Sequence, residues 1–262
     1  MDNRPIGVLD SGVGGLTVWK EIIAQYPHES TVYIGDSLNA PYGRKTPEEI
    51  RTLAGKLIRF LLQHDVKLIV VACNTITVNG IELLRKEFPQ IPLIGTVPVI
   101  KTAASKTKKK KIGVLVTKAT KHSDYNTRLI EQFASDCEVV TIGTNALVPL
   151  LEAGRNAELP GVIARELAPF HEQGVDVVVL GSTHFPILRP YLQEFLGPEV
   201  ALLDSGGAVA RQTGRILAAN GIAGGVKKPV HTIFTTGHSD PFQKILAQLV
   251  DNAPRVTSVV IQ

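Results

Sequence analysis

Short apolar runs alternate along this chain with longer segments of helical period. The runs Ile6–Leu9, Val32–Ile34, Leu68–Ala72, Leu93–Gly95, Ile112–Val116, Glu138–Ile142, Val175–Leu180 and Ala201–Leu203 read as strands. Their apolar positions are near-continuous, the pattern of strands covered on both faces. The segments Leu16–Tyr26, Pro47–His64, Thr75–Phe88, Ser123–Ala134, Gly161–Gln173 and Ile187–Leu196 have the length and period of helices. Strand, helix and strand in this rhythm predict parallel sheets joined by crossover helices, an α/β fold.

The chain also echoes itself. Ile6-Gly7-Val8-Leu9 returns as Ile112-Gly113-Val114-Leu115, and Val70-Val71-Ala72-Cys73-Asn74-Thr75 is echoed by Val179-Leu180-Gly181-Ser182-Thr183-His184. Two matches in the same order at nearly the same offset suggest two copies of one α/β unit related by a pseudo-twofold axis. Ligands of open α/β sheets bind beyond the carboxyl ends of the strands. Each echoed segment is such an end, so the two halves are expected to face one cleft.

Composition narrows the function classes. Hydrophobic residues make up 44% and charged residues 20% of 262 positions, ordinary for a chain with a real core. No apolar run is long enough for a membrane span, and the polar start resembles no signal peptide. Two cysteines, Cys73 and Cys137, make no disulfide framework, and no histidine pattern suits zinc. A reducing, cytoplasmic setting is the expectation. Much of the net charge of +4 sits in Lys106 and Lys108 to Lys111. That run has no interleaved aromatic residue and reads as a solvated loop, not a nucleic-acid site.

Three segments carry candidate chemistry. Asp10-Ser11-Gly12-Val13-Gly14-Gly15 follows a strand and opens a helix, where backbone N–H groups suit an anion; the plain alternative is a turn capped by Asp10 or Ser11. It is no dinucleotide loop, because Thr17 stands where a glycine or alanine is needed and no acidic residue closes the next strand before Gly35. Cys73 comes directly after the most apolar strand, at a helix start that favours thiolate, and Asn74 and Thr75 beside it offer donors for a carboxylate. Cys137 has no such surroundings and reads as structural. Ser182-Thr183-His184 occupies the matching junction, but Gly181 precedes the serine directly and the nucleophile-elbow pattern is absent. Asp10 and Glu152 are candidate acid–base helpers or ammonium partners.

With these residues in place, the chain resembles the glutamate racemases of the cofactor-independent aspartate/glutamate racemase family. The resemblance rests on Gly7 through Thr17, on Gly35-Asp36-Ser37 with Pro41-Tyr42-Gly43, and on Ala72-Cys73-Asn74-Thr75. It continues through Thr117-Lys118-Ala119-Thr120, Val148-Pro149-Leu150-Leu151-Glu152, Gly181 through Pro186, and Leu203-Asp204-Ser205-Gly206. It implies inversion at the α-carbon of glutamate by two cysteines, one on each face, the first acting on D-glutamate. It implies no cofactor and no metal, a small-molecule substrate, a homodimer as the common assembly, and a D-glutamate product destined for peptidoglycan. Carried onto this chain, Cys73 is the first thiol with Asp10 beside it, and Glu152 and His184 are the partners of the second. Ser11, Tyr42, Gly43, Asn74, Thr75, Thr117, Thr120 and Thr183 match the positions that hold the carboxylates and amino group.

One departure stands out: Ser182 occupies the position of the second cysteine. A hydroxyl is a far weaker acid than a thiol, so two-base inversion is expected to be impaired while shape and binding persist. Three explanations stay open: an engineered substitution of the second base, a natural one-thiol decarboxylase or lyase of the superfamily, or a non-catalytic amino-acid binding or degenerate paralogue. The expected architecture is two α/β domains with the active site between them. Residues 1–97 plus 204–262 form the first domain, carrying Cys73, and residues 98–203 the second, carrying Ser182.

Overall fold

The computed structural model describes residues 1–261. Its strands are β1 (Ile6–Asp10), β2 (Thr31–Gly35), β3 (Leu68–Val71), β4 (Leu93–Gly95), β5 (Lys111–Val116), β6 (Glu138–Gly143), β7 (Val177–Leu180), β8 (Ala201–Leu203), β9 (His231–Thr235) and β10 (Val256–Ser258). The helices are α1 (Leu16–Gln25), α2 (Pro47–Gln63), α3 (Asn74–Glu87), α4 (Ile100–Lys106), α5 (Lys118–Lys121), α6 (Asp124–Phe133), α7 (Leu147–Glu152), α8 (Leu159–Glu172), α9 (Arg189–Leu196), α10 (Gly206–Ala219) and α11 (Ser239–Leu249). Short 3-10 turns at Tyr42–Arg44 and Phe185–Leu188 also matter for the site.

The strands form two sheets. One has the order β10-β9-β2-β1-β3-β4 and the other β6-β5-β7-β8. Every pairing is parallel. The inner order of the first sheet, β2-β1-β3-β4, is repeated in the second with β5 in the place of β1. The register repeats too: Ile6 lies opposite Leu68 and Thr31, and Ile112 opposite Val177 and Val139. The internal echo is therefore a repeat of pairing geometry and not a coincidence of apolar tetrapeptides.

Side-chain alternation divides each sheet between two cores. In the first sheet Ile6, Val8, Leu68, Val70 and Ala72 pack beneath α1, α10 and α11 with Trp19, Val209, Leu217 and Phe242. Leu9, Ile69, Val71 and Cys73 point to the other face, against Ile50, Leu57, Ile58 and Leu61 of α2 and Leu84 of α3. In the second sheet Ile112, Val114, Val116, Val177 and Val179 share one core and Leu115, Val178 and Leu180 the other. Burial on both faces explains the near-continuous apolar runs.

Local signals set the helix bounds. Thr46 and Glu49 form a complete capping box at the start of α2, with Pro47 in the first turn where its missing N–H costs nothing. Pro160 plays the same part in α8, which starts at Leu159, slightly earlier than expected. The segment after Leu203 contains two helices, α10 and α11, and two strands, β9 and β10, that extend the first sheet.

A buried ion pair secures that return. The Lys67 and Glu29 side chains are 0% and 5% exposed, with Nζ 2.5 Å from Oε2. The ammonium also donates to the Asp2 carbonyl, and the Gly224 N–H donates to Glu29 Oε1 at 2.6 Å. Removing one partner of a buried pair leaves an uncompensated charge, which typically costs about 3–5 kcal/mol. Glu29→Gln should lower unfolding stability on that scale in urea titrations at pH 7. A loss below about 1 kcal/mol would mean that Lys67 finds solvent or another acceptor.

Candidate active site

The alternation that puts Ile69 and Val71 on one face of the first sheet carries Cys73 onto that face as well. Cys73 is the N-cap residue of α3, and it is 4% exposed. Ser182 follows β7 with the same parity and is 6% exposed. Here the two junctions differ. The chain after Ser182 passes through the Phe185–Leu188 turn before α9 begins, so no α-helix starts at Ser182. Its hydroxyl forms no hydrogen bond with the described residues.

Both residues line one cavity of about 450 Å³, open mouth included. Of the residues expected at the site, Ser11, Tyr42, Gly43, Cys73, Asn74, Thr75, Thr117, Glu152, Ser182, Thr183 and His184 lie on its wall. Asp10 and Thr120 do not. Both are 0% exposed and stand behind the wall. Thr120 meets the cavity through Thr117, whose hydroxyl donates to it at 3.0 Å. The wall also includes Ala40, Pro41, Thr144, Asn145 and Val148. Val148 and Pro41 lay within motifs already singled out, but nothing in the sequence marks Asn145, a lone amide in a loop.

Asp10 organises the floor. One carboxylate oxygen accepts the Gly12 N–H at 2.9 Å, and the other accepts the Thr183 hydroxyl at 3.1 Å. The carboxylate thus stabilises a turn in the first half while bonding to the second. The glycines of this loop serve close approach. A Cβ on Gly12 would sit 2.5 Å from Glu152 Oε1, and one on Gly14 would strike the His184 imidazole and the Thr183 hydroxyl. Neither Asp10 nor Ser11 caps α1: Gly15 is the N-cap residue, without a side-chain bond. Tyr33 holds the loop from below by donating to the Gly12 carbonyl at 2.8 Å.

The two ends of the cavity differ electrostatically. Burial pushes the Cys73 thiol up to about 12, and the Asp10 charge adds to the shift. The Ser11 hydroxyl, 3.4 Å from Sγ, and the N–H groups of Ile76 and Ser11 offset only part of it. Desolvation therefore outweighs the helix start that was expected to favour thiolate. Burial raises the Asp10 carboxyl too, against the pull of His184 and its hydrogen bonds. At the other end burial disfavours the His184 cation, but the Glu152 bond at 2.9 Å and the charges of Glu152 and Asp10 prevail and raise its pKa.

The lysine run lies apart from this site. Lys110 pairs with Asp136 at 2.6 Å and Lys111 with Glu138 at 3.5 Å, while Asp176 accepts the N–H groups of Lys108 and Lys109. Among the described residues no helix is long and apolar enough to cross a membrane, and no cluster of His, Cys, Asp or Glu is placed to hold a metal ion.

Comparison with known proteins agrees with the geometry. A model of the Asp/Glu/Hydantoin racemase family matches residues 6–213. The chain belongs to that family. A glutamate racemase of Herpetosiphon aurantiacus is 45% identical over 84% of this chain and 87% of its own. The crystal structure of a glutamate racemase isoform from Bacillus anthracis superposes with a TM-score of 0.89 at 34% identity, covering 99% of this chain and 98% of that one. A Francisella tularensis glutamate racemase in complex with D-glutamate gives 0.85 at 28% identity over 99% and 98%.

The raised thiol pKa has a measurable consequence. Between about 9 and about 12 the folded protein keeps a proton on Cys73 that the unfolded chain releases. This contribution to stability is complete below the unfolded value and is lost as pH rises through the folded one. In the ligand-free protein, iodoacetamide labelling of the Cys73 peptide, followed by mass spectrometry, should still be accelerating at pH 10. A plateau at pH 8 or below would show that the thiolate is stabilised.

Proposed function

We propose that this chain is a glutamate racemase scaffold that works on the α-carbon of glutamate from the Cys73 side, with the second acid–base position impaired by Ser182. The observation that carries the reading is one cavity walled by Cys73 and Ser182 at matching strand ends, with Asp10 behind it and a Glu152–His184 pair at the Ser182 end. The relatives named as glutamate racemases support glutamate as the substrate. The two sheets support domains of 1–97 with 204–262 and 98–203, a division that makes the site interdomain.

The chemistry follows from the residues. Short polar side chains, Ser11, Asn74, Thr75, Thr117 and Thr183, would hold the two carboxylates and the ammonium by hydrogen bonds. The substrate ammonium brings a positive charge beside a buried thiol, which favours loss of the Cys73 proton to solvent through the open mouth as the site fills. The thiolate then takes the α-proton, becoming a thiol and leaving the electron pair on the α-carbon, stabilised by the held carboxylate. In inversion a proton arrives from the opposite face and a base there is regenerated by the reverse step. Ser182 is a poor donor, so the carbanion is mostly reprotonated by Cys73 on the face it left. The expected outcome is exchange of the α-hydrogen with solvent and little inversion. An efficient version of this reaction would supply D-glutamate for peptidoglycan synthesis.

A one-thiol decarboxylase or lyase is the second reading, favoured by Ser182 alone. Deuterium incorporation decides between them. In deuterated buffer D-glutamate should exchange its α-hydrogen faster than L-glutamate, and Cys73→Ala should abolish that exchange. Exchange that persists in Cys73→Ala would remove Cys73 from the mechanism.

Ser182→Cys gives a second test. The thiol adds little volume, and Glu152 and His184 already stand at that end of the cavity. General acid–base groups typically contribute about 10²–10⁴-fold, so interconversion followed by circular dichroism should rise at least about a hundredfold. A variant that folds and binds glutamate yet does not interconvert the enantiomers would favour the one-thiol reading.

A further inference from the structure

The cavity is crossed by a small number of polar bonds between its two sides. Thr183 bonds to Asp10 and Thr75 to Thr117, both in buried surroundings. The Thr17 hydroxyl donates to the Thr183 carbonyl at 3.0 Å, and a further crossing at the wall, towards solvent, is made by Asn145. Its Nδ2 donates to the Gly43 carbonyl at 3.1 Å, and its Oδ1 accepts the Lys118 N–H at 3.2 Å. One amide therefore uses both ends to tie the Tyr42–Arg44 turn of the first half to the turn that follows β5 in the second.

The contact is tight as well as polar. A Cβ on Gly43 would lie 2.9 Å from Asn145 Oδ1 and 3.1 Å from Thr117 Cβ, so a side chain there would press on both residues. Behind the turn, the Tyr42 hydroxyl donates to Asp36 Oδ2 at 2.6 Å, and the Thr236 hydroxyl donates to Asp36 Oδ1 at 2.6 Å. The first-half side is thus anchored to the C-terminal segment and resists local slack. Asn145 is anchored on the second-half side through its neighbours: Thr144 donates its N–H to the Val116 carbonyl, and its hydroxyl accepts the Ala146 N–H. With both sides fixed, the amide between them sets the separation of the halves at the mouth.

From this geometry we infer that Asn145 is a positioning residue for the reaction: it latches Gly43 to the Thr117–Lys118 turn, closing the cavity over bound substrate and fixing the gap between Cys73 and residue 182. The inference rests on the glutamate reading of the site. It assigns Asn145 no contact with the reacting atoms. Asn145 acts through Gly43 and Thr117, which are on the cavity wall. Substrate entry and product release then require this bond to open, while the buried crossings serve as the hinge side.

Asn145→Asp tests the latch with minimal change of shape. It keeps the acceptor for Lys118 N–H and replaces the donor to Gly43 with a carboxylate oxygen facing a carbonyl. Asn145→Ala removes both bonds and guards against an effect peculiar to the new charge. Two measurements separate a latch from a merely structural part. The first is hydrogen–deuterium exchange of the 40–46 segment, with and without saturating D-glutamate. The second is the KM and kcat of α-deuterium exchange into D-glutamate. In the parent, D-glutamate should protect the segment. In both variants that protection should be lost even at saturation, and KM should rise by about tenfold or more with a smaller change in kcat, as expected when binding geometry and not the proton-transfer group is altered. Equal unfolding midpoints would confirm that the variants are folded; if Asn145→Asp is not, Asn145→Ala supplies the answer. Protection and KM unchanged from the parent in a folded variant would overturn the latch alone. A parent that neither binds nor exchanges glutamate would overturn the functional reading beneath it.

Discussion

The close approach of two strand-end loops governs this site. The Asp10–Gly15 loop of the first half lies against Thr183 and His184 of the second with no room for a Cβ at Gly12 or Gly14. The Asp10 carboxylate fastens the approach by accepting from Gly12 and Thr183 at once. Widening this contact would expose Asp10 to water and ease the burial that lifts the Cys73 thiol. The cavity's shape and its proton inventory thus have a common origin. A site that is dry and tightly walled makes charge development expensive until the substrate supplies compensating charge, and interactions realised in the course of reaction are the ones that accelerate it.

The repeat is faithful in its strands and unfaithful at its functional ends. Pairing register recurs from β1 and β3 to β5 and β7, so Cys73 and Ser182 take matching places. Cys73 then caps a fourteen-residue helix, whereas Ser182 leads into a 3-10 turn. The second position cannot draw on a helix N-terminus and has beside it an ion-paired imidazole whose protonated form is favoured by Glu152. Two similar frames therefore give the cavity unlike electrostatic ends. Specialisation of the two faces requires only changes in the few residues after each strand, while the sheets remain alike.

Much of this could be read from the sequence because burial on both faces writes unbroken apolar runs in the central strands β1, β2, β3, β5 and β7, while β4, β6 and β8 were read from shorter apolar runs beside them. The echoes at Ile112 and Ser182 were legible for the same reason: a repeated pairing register constrains the same positions twice. The strands β9 and β10 were not read. His231-Thr232-Ile233-Phe234-Thr235 mixes polar residues into a less buried strand, and β10 is only three residues long at the sheet edge. Cavity-wall residues within motifs were legible, but depth was not: Asp10 and Thr120 stand behind the wall because backbone turns, invisible in a residue list, bring Thr183 and Thr117 in front of them. The helix start at Cys73 was a correct structural expectation whose pull towards thiolate, through the Ile76 N–H, is outweighed by burial, which depends on contacts from both halves. Asn145 left no trace because its partners are a backbone carbonyl and a backbone N–H, which carry no sequence signature.

Ser182 can also be weighed as a nucleophile, and the geometry argues against it. A serine hydrolase needs its histidine to take the hydroxyl proton while an acid orients the ring from the other nitrogen. His184 meets the second requirement through Nε2 and Glu152. It does not meet the first: no bond joins the imidazole to the Ser182 hydroxyl, and Nδ1 faces the Gly14 backbone, where a methyl group would collide with it. The hydroxyl therefore stands in the cavity without a base. A side chain at the matching strand end, on the cavity wall and without a hydrogen-bond partner among the described residues, is not activated to attack a ligand.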